Sequence, residues 1–98
     1  MAAYVIASYD ITDASGYAEY TPKVVPTLIA HGAEVLVADH HSEAAEGRPG
    51  KSTIVLKFES RDALHAWYGS PEYQAIIHHR TDNSEGVMVF AEGFVPPS

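Results

Sequence analysis

Four runs rich in Val, Ile and aromatic residues constrain this chain more than any other feature. They are Tyr4–Ile11 (YVIASYDI), Glu34–His40 (EVLVADH), Ser52–Glu59 (STIVLKFE) and Gly86–Val95 (GVMVFAEGFV). Such runs suit β-strands. Between the first and second lies a helical pattern that begins near Asp13 or Ser15, good N-cap residue types. It ends at His31-Gly32, where glycine can take the left-handed cap conformation. Pro22 and Pro26 are expected to kink or split it. Between the third and fourth runs a second helical pattern follows Glu59-Ser60, passes through Trp67-Tyr68 and breaks at Gly69-Ser70-Pro71. Pro71 is well placed to open a further helical segment reaching Arg80, because proline is favoured at a first helical position. The order is therefore β-α-β-β-α-β.

That order predicts an α+β, ferredoxin-like fold: a four-stranded antiparallel sheet with helices on one face. With 98 residues the chain has room for one core, so residues 1–98 are expected to form a single domain. The strands are apolar on both faces. Tyr4 and Ile6 alternate with Val5 and Ala7, Leu36 with Val35 and Val37, and Val55 with Ile54 and Leu56. An antiparallel sheet open to water on one side normally shows a polar face there, and a large exposed apolar patch marks an interface. The expectation is a homodimer joined through the sheet faces.

Composition narrows the function classes. Hydrophobic residues make up 46% of the chain and charged residues 19%, the balance of an ordinary globular domain. A formal net charge of −7 with only six Lys and Arg leaves no basic footprint for a phosphate backbone, so nucleic acid is not an expected partner. The opening MAAYVIASYD has no positive n-region and meets Asp10 early, and no stretch of about 18 apolar residues occurs. A soluble, cytoplasmic protein without membrane contact is expected. With no cysteine, disulfides, thiolate nucleophiles and Cys-based metal sites are excluded together. No HxH, HExxH or two-histidine-one-carboxylate spacing is present, and neither GxGxxG, a phosphate loop nor a nucleophile elbow occurs. Neither a metal nor a cofactor is expected.

The segments YAEYTPKVVPTLIAHGAEVL, Glu46-Gly47, LKFES, WYGSPEYQ, Arg80 and Ala91–Gly93 resemble domain-of-unknown-function family 1330, with WYGSPEYQ the most specific of them. The similarity spans nearly the whole chain. Glu59 stands where similar sequences often have a proline, a difference confined to the start of the second helical segment. The resemblance implies a dimeric α/β barrel, a superfamily that also holds cofactor-free monooxygenases, isomerase-like enzymes and proteins without known activity. It implies no reaction and carries no catalytic set to individual residues.

Helical geometry selects candidate site residues. At about 100° per residue, Tyr73, Ile76, Ile77 and Arg80 fall on one stripe, while His78 and His79 turn away from it. An arginine on an apolar stripe keeps its charge and needs acceptors. Arg80 is either a helix-end residue paired with a carboxylate or reaching solvent, or an anion anchor using its two-donor fork. Leu64, Trp67 and Tyr68 share a face, with Trp67 and Tyr68 candidates for core or pocket wall. On the first helix Tyr17, Tyr20, Val24, Leu28 and His31 align, and Tyr20 is the better ligand candidate of its two tyrosines. His31 is a weak candidate general base, and so is His41 in the long connection Asp39–Lys51, which also offers His40, Glu43 and Glu46.

Three readings remain open. One is a dimeric protein that binds a small organic molecule, anionic or aromatic, in a pocket between helices and sheet. Its walls would be Tyr20, Trp67, Tyr68 and Tyr73, with Arg80 at the end. The second is a cofactor-independent monooxygenase or isomerase-like enzyme in which His31, His41 or a tyrosine moves a proton. The third is a dimer whose surface serves a protein partner.

Overall fold

The computed structural model describes residues 1–97. Strands β1 (Ala3–Ile11), β2 (Glu34–Asp39), β3 (Ser52–Phe58) and β4 (Ser84–Glu92) form one antiparallel sheet in the order β2-β3-β1-β4. Helices α1 (Ala14–Tyr17) and α2 (Tyr20–Ala30) join β1 to β2, and α3 (Arg61–Tyr68), α4 (Pro71–Gln74) and α5 (His78–Thr81) join β3 to β4. This is the α+β, ferredoxin-like arrangement, with β1 and β3 central and the two outer strands at the edges.

Period-two alternation sorts the central strand. Ala3, Val5, Ala7 and Tyr9 are buried against the helices, whereas Ile6 on the other face is 40% exposed. Register carries the same division across the sheet, since Val5 lies opposite Leu56 and Phe90, and Ala7 opposite Ile54 and Met88. On the helix-free face Val87 and Val89 stand open to water. A bulge between Val35 and Val37 shifts the register of β2 on β3, so Leu36 has no partner in the ladder.

The helices begin where short polar side chains satisfy free backbone N–H groups. The Asp13 carboxylate accepts from Ser15 and Gly16 at the start of α1. Ser60 accepts from Ala63 at α3, and Ser70 accepts from Tyr73 at α4. The first helical region does split, but at Ala18-Glu19 rather than at a proline. Pro22 falls in the first turn of α2, where a missing N–H costs nothing, and Pro26 is carried inside the helix. Past α4 the chain turns at residues 75–77 before α5, so the stripe ending at Arg80 runs over two short helices instead of one. β4 starts two residues earlier than the sequence suggests and stops before Gly93, leaving Phe94 and Val95 exposed. No helix is long and apolar enough to cross a membrane among the described residues.

Candidate functional site

A cavity of about 150 Å³ lies between the helices and the inner sheet face. Its floor comes from alternate strand residues: Val5, Ala7 and Tyr9 of β1, Ile54 and Leu56 of β3, Met88 of β4. Its roof comes from α1 and α2 through Tyr17, Tyr20, Val24 and Leu28, and Trp67, Arg80 and His40 complete the wall. The lining is mostly apolar, with polar groups at a few fixed points, the pattern of a small-molecule site.

Those points are three phenols, one imidazole, one guanidinium and the Thr21 hydroxyl. Tyr9 and Tyr17 share a short hydroxyl–hydroxyl hydrogen bond, and Tyr20 and Tyr73 share another at 2.8 Å. Each pair owns two O–H groups and spends one on the mutual bond, so each keeps one hydrogen to donate elsewhere. Burial pushes the Tyr9, Tyr17 and Tyr20 phenols above their ordinary range, and the neighbouring phenol adds to the rise at Tyr9 and Tyr20. They remain neutral donors at neutral pH.

Arg80 opposes them as a cation. Burial works against its charge, but the oxygens of Tyr73 and Tyr20 work for it and the net shift is upward. Its Nε is buried and meets no hydrogen-bond partner. No Asp or Glu belongs to the cavity wall, and the two ion pairs among the described residues, Lys23–Glu19 and Arg61–Glu92, lie elsewhere. A second, more polar depression, lined by Thr81, Ser84, Glu85, Gly86 and Val87, shares Tyr9, Arg80 and Met88 with the cavity, and Glu85, an exposed residue there, makes no ion pair with Arg80. Arg80 therefore stands at the boundary between an apolar interior and an outer polar mouth.

Trp67 is held as a fixed wall. Its indole N–H donates to Thr27 Oγ1 at 3.0 Å, and its ring lies 4.1 Å from Tyr73 and 5.3 Å from Phe58 between centroids. His40 follows β2, where its Nδ1 is 2.7 Å from the buried Ser52 Oγ and its ring meets the Tyr17 ring edge-on. The base of the long connection is tied down around it: Gly50 N–H donates to Ser8 Oγ, and Lys51 N–H to the Asp10 carboxylate, both at 2.9 Å.

Of the residues singled out from the sequence, Tyr20, Trp67 and Arg80 line the cavity. Tyr73 is fully buried behind Tyr20 and Trp67 and reaches the site through its bond to Tyr20. Tyr68 stands off the cavity, packed on Trp67, Tyr73 and Phe90. His31 uses its Nδ1–H on the Thr27 carbonyl at the end of α2, away from the wall. His41 is exposed, its backbone N–H donating to the Asp39 carboxylate. His40, offered by the long connection, lines the cavity, as does Tyr9, which helical periodicity does not reach. Tyr9 carried a signal, since it lies two and four residues from Ala7 and Val5 on the same strand face. Among the described residues, no three His, Cys, Asp or Glu side chains gather as a metal-binding group.

Several solved structures share this fold. A protein of unknown function from Rhodopseudomonas palustris superposes with a TM-score of 0.78 at 14% identity, over 97% of this chain and 84% of that one. SnoaB, a cofactor-independent oxygenase from Streptomyces nogalater, gives 0.69 at 7% identity, over 97% and 95% of the two chains. A dimeric protein of unknown function and ferredoxin-like fold from Bacteroides fragilis gives 0.57 at 13% identity, over 94% and 96%. At these identities the likeness is one of fold. No curated protein matches the chain. Residues 2–94 match the family described as Domain of unknown function (DUF1330).

Proposed function

The chain belongs to the DUF1330 family, whose description assigns no activity, and we propose that it is a homodimer that binds a small aromatic or aliphatic molecule bearing an anionic oxygen. The apolar part of the ligand occupies the cavity, and its oxygen takes the unpartnered Nε–H of Arg80. The observation that carries this reading is the buried Arg80 Nε without a partner, in a wall that contains no carboxylate. A buried N–H donor of a half-buried cation without an acceptor is costly, and a ligand oxygen offsets that cost at the moment of binding. A cavity of about 150 Å³ holds a single ring, as an apolar cavity of that size holds benzene.

Calorimetric titration with benzoate tests the reading. The variant Arg80→Lys retains the charge but loses the planar fork, and its affinity is expected to fall about tenfold or more, in line with a charge-assisted bond lost. Arg80→Met is expected to abolish binding while melting at or above the wild-type temperature, because no partner carboxylate is orphaned when the guanidinium is removed. Unchanged benzoate affinity in Arg80→Lys would reject Arg80 as the anchor.

A second reading, a cofactor-independent oxygenase or isomerase-like enzyme, is favoured by one observation: an imidazole, that of His40, belongs to the cavity wall. The fold shared with SnoaB is compatible with it.

A further inference from the structure

We propose that His40 is the proton acceptor of this site, and that the molecule bound there is a weak oxygen acid, a single-ring phenol or an enol, that is ionised on the protein. The proposal rests on the cavity being a ligand site with Arg80 as its anchor. Among the polar groups of the wall, the tyrosines are held in their neutral form and Arg80 keeps its proton, so neither can remove one from a ligand. Imidazole is the side chain suited to that exchange near neutral pH. His40 is also placed for it. Ser52 Oγ, in a residue only 1% exposed, fixes Nδ1 at 2.7 Å, and the edge of the ring packs with Tyr17, so the imidazole has little freedom to swing. In the tautomer whose Nδ1–H donates to Ser52 Oγ, Nε2 holds the free lone pair.

The donor-rich remainder of the site fits the product of that step. The ligand O–H bond breaks, its proton forms a bond to His40 Nε2, and the bonding electron pair stays on the oxygen as a phenolate or enolate. Arg80 and the free hydrogens of the Tyr9–Tyr17 and Tyr20–Tyr73 pairs are available to that oxygen, while the ring rests on Val5, Ala7 and Trp67. A carboxylic acid is already ionised at neutral pH and needs no base. An imidazole beside a cation is useful for a ligand that arrives protonated.

The test uses 4-cyanophenol, mostly the neutral phenol at neutral pH, with its phenolate absorbance read on the protein. Calorimetry in two buffers of different ionisation enthalpy counts the protons released. The wild type is expected to bind the probe as phenolate with almost no proton reaching the buffer. His40→Gln, a change at an exposed side chain, is expected to bind phenolate at Arg80 but to release about one proton per probe. Equal release from both proteins would overturn the role of His40 while leaving the Arg80 anchor in place. Binding of benzoate but not of the phenol would overturn the weak-acid ligand alone. Failure of both probes to bind would overturn this proposal together with the ligand site it rests on.

Discussion

Trp67 has no exposed surface, and its neighbours Phe58, Tyr73 and Thr27 come from three different elements. Truncating it removes a large apolar volume that the short helices around it cannot refill. Trp67→Ala is therefore expected to lose about 3–5 kcal/mol in urea unfolding. A loss near zero would mean that Trp67 contributes little to the core. At this scale the candidate site was legible wherever helical periodicity applied. Spacing along α2 and α3 reaches Tyr20 and Trp67, and the stripe from Tyr73 reaches Arg80 despite the turn at residues 75–77. Tyr9 and His40 were less accessible for a physical reason. A strand residue belongs to a wall only through the register of its sheet, and His40 lies beyond a strand end, where a loop decides its direction. Likewise, Arg80 on an apolar stripe gave no hint of which acceptors surround it.

Among the elements, the pairing of β1 with β4 depends on a missing side chain. Gly86 lies opposite Tyr9, and a Cβ added there would come within 2.2 Å of the Ser8 carbonyl oxygen and 2.4 Å of Tyr9 Cα. Both are backbone atoms that cannot step aside. Gly86→Ala is expected to push the start of β4 off β1, with a melting loss comparable to that of Trp67→Ala and faster amide exchange at Ser8 and Tyr9. Wild-type exchange there would show that the strand accommodates the methyl group. The four strands and their order along the chain could be read from β-branched and aromatic runs, and residue type pointed to the cap at Ser70 and to Asp13 as one of two candidates at α1. The division of the helices could not. A break at Ala18-Glu19 carries no glycine or proline to announce it, and Pro26 sits within α2 because tertiary packing of Val24, Thr27 and Leu28 outweighs a lost backbone bond.

The whole molecule carries two exposures to test. One is alkaline. Ionising Tyr9, Tyr17 or Tyr20 is harder in the fold than in the unfolded chain, so the folded state retains protons that the unfolded state releases. The stability they contribute is full below about pH 10 and is lost as pH rises beyond it. These phenols are expected to titrate only together with unfolding, and Tyr9→Phe should shift the alkaline transition to higher pH when followed by tyrosinate absorbance. Independent ionisation of all six tyrosines in the folded protein would contradict this. The other is the helix-free sheet face, where Ile6, Val87 and Val89 are open. With a second copy seated there, light scattering should give twice the chain mass for the wild type, and Val89→Glu should halve it. A folded wild-type monomer at micromolar concentration would exclude the sheet interface. Because β1 sends Val5, Ala7 and Tyr9 to the cavity and Ile6 to the opposite face, one inserted residue would exchange the two sets over the rest of the strand. Relatives that keep both faces are therefore expected to keep the length of β1 and to place their insertions and deletions in the exposed stretch 43–48 between β2 and β3.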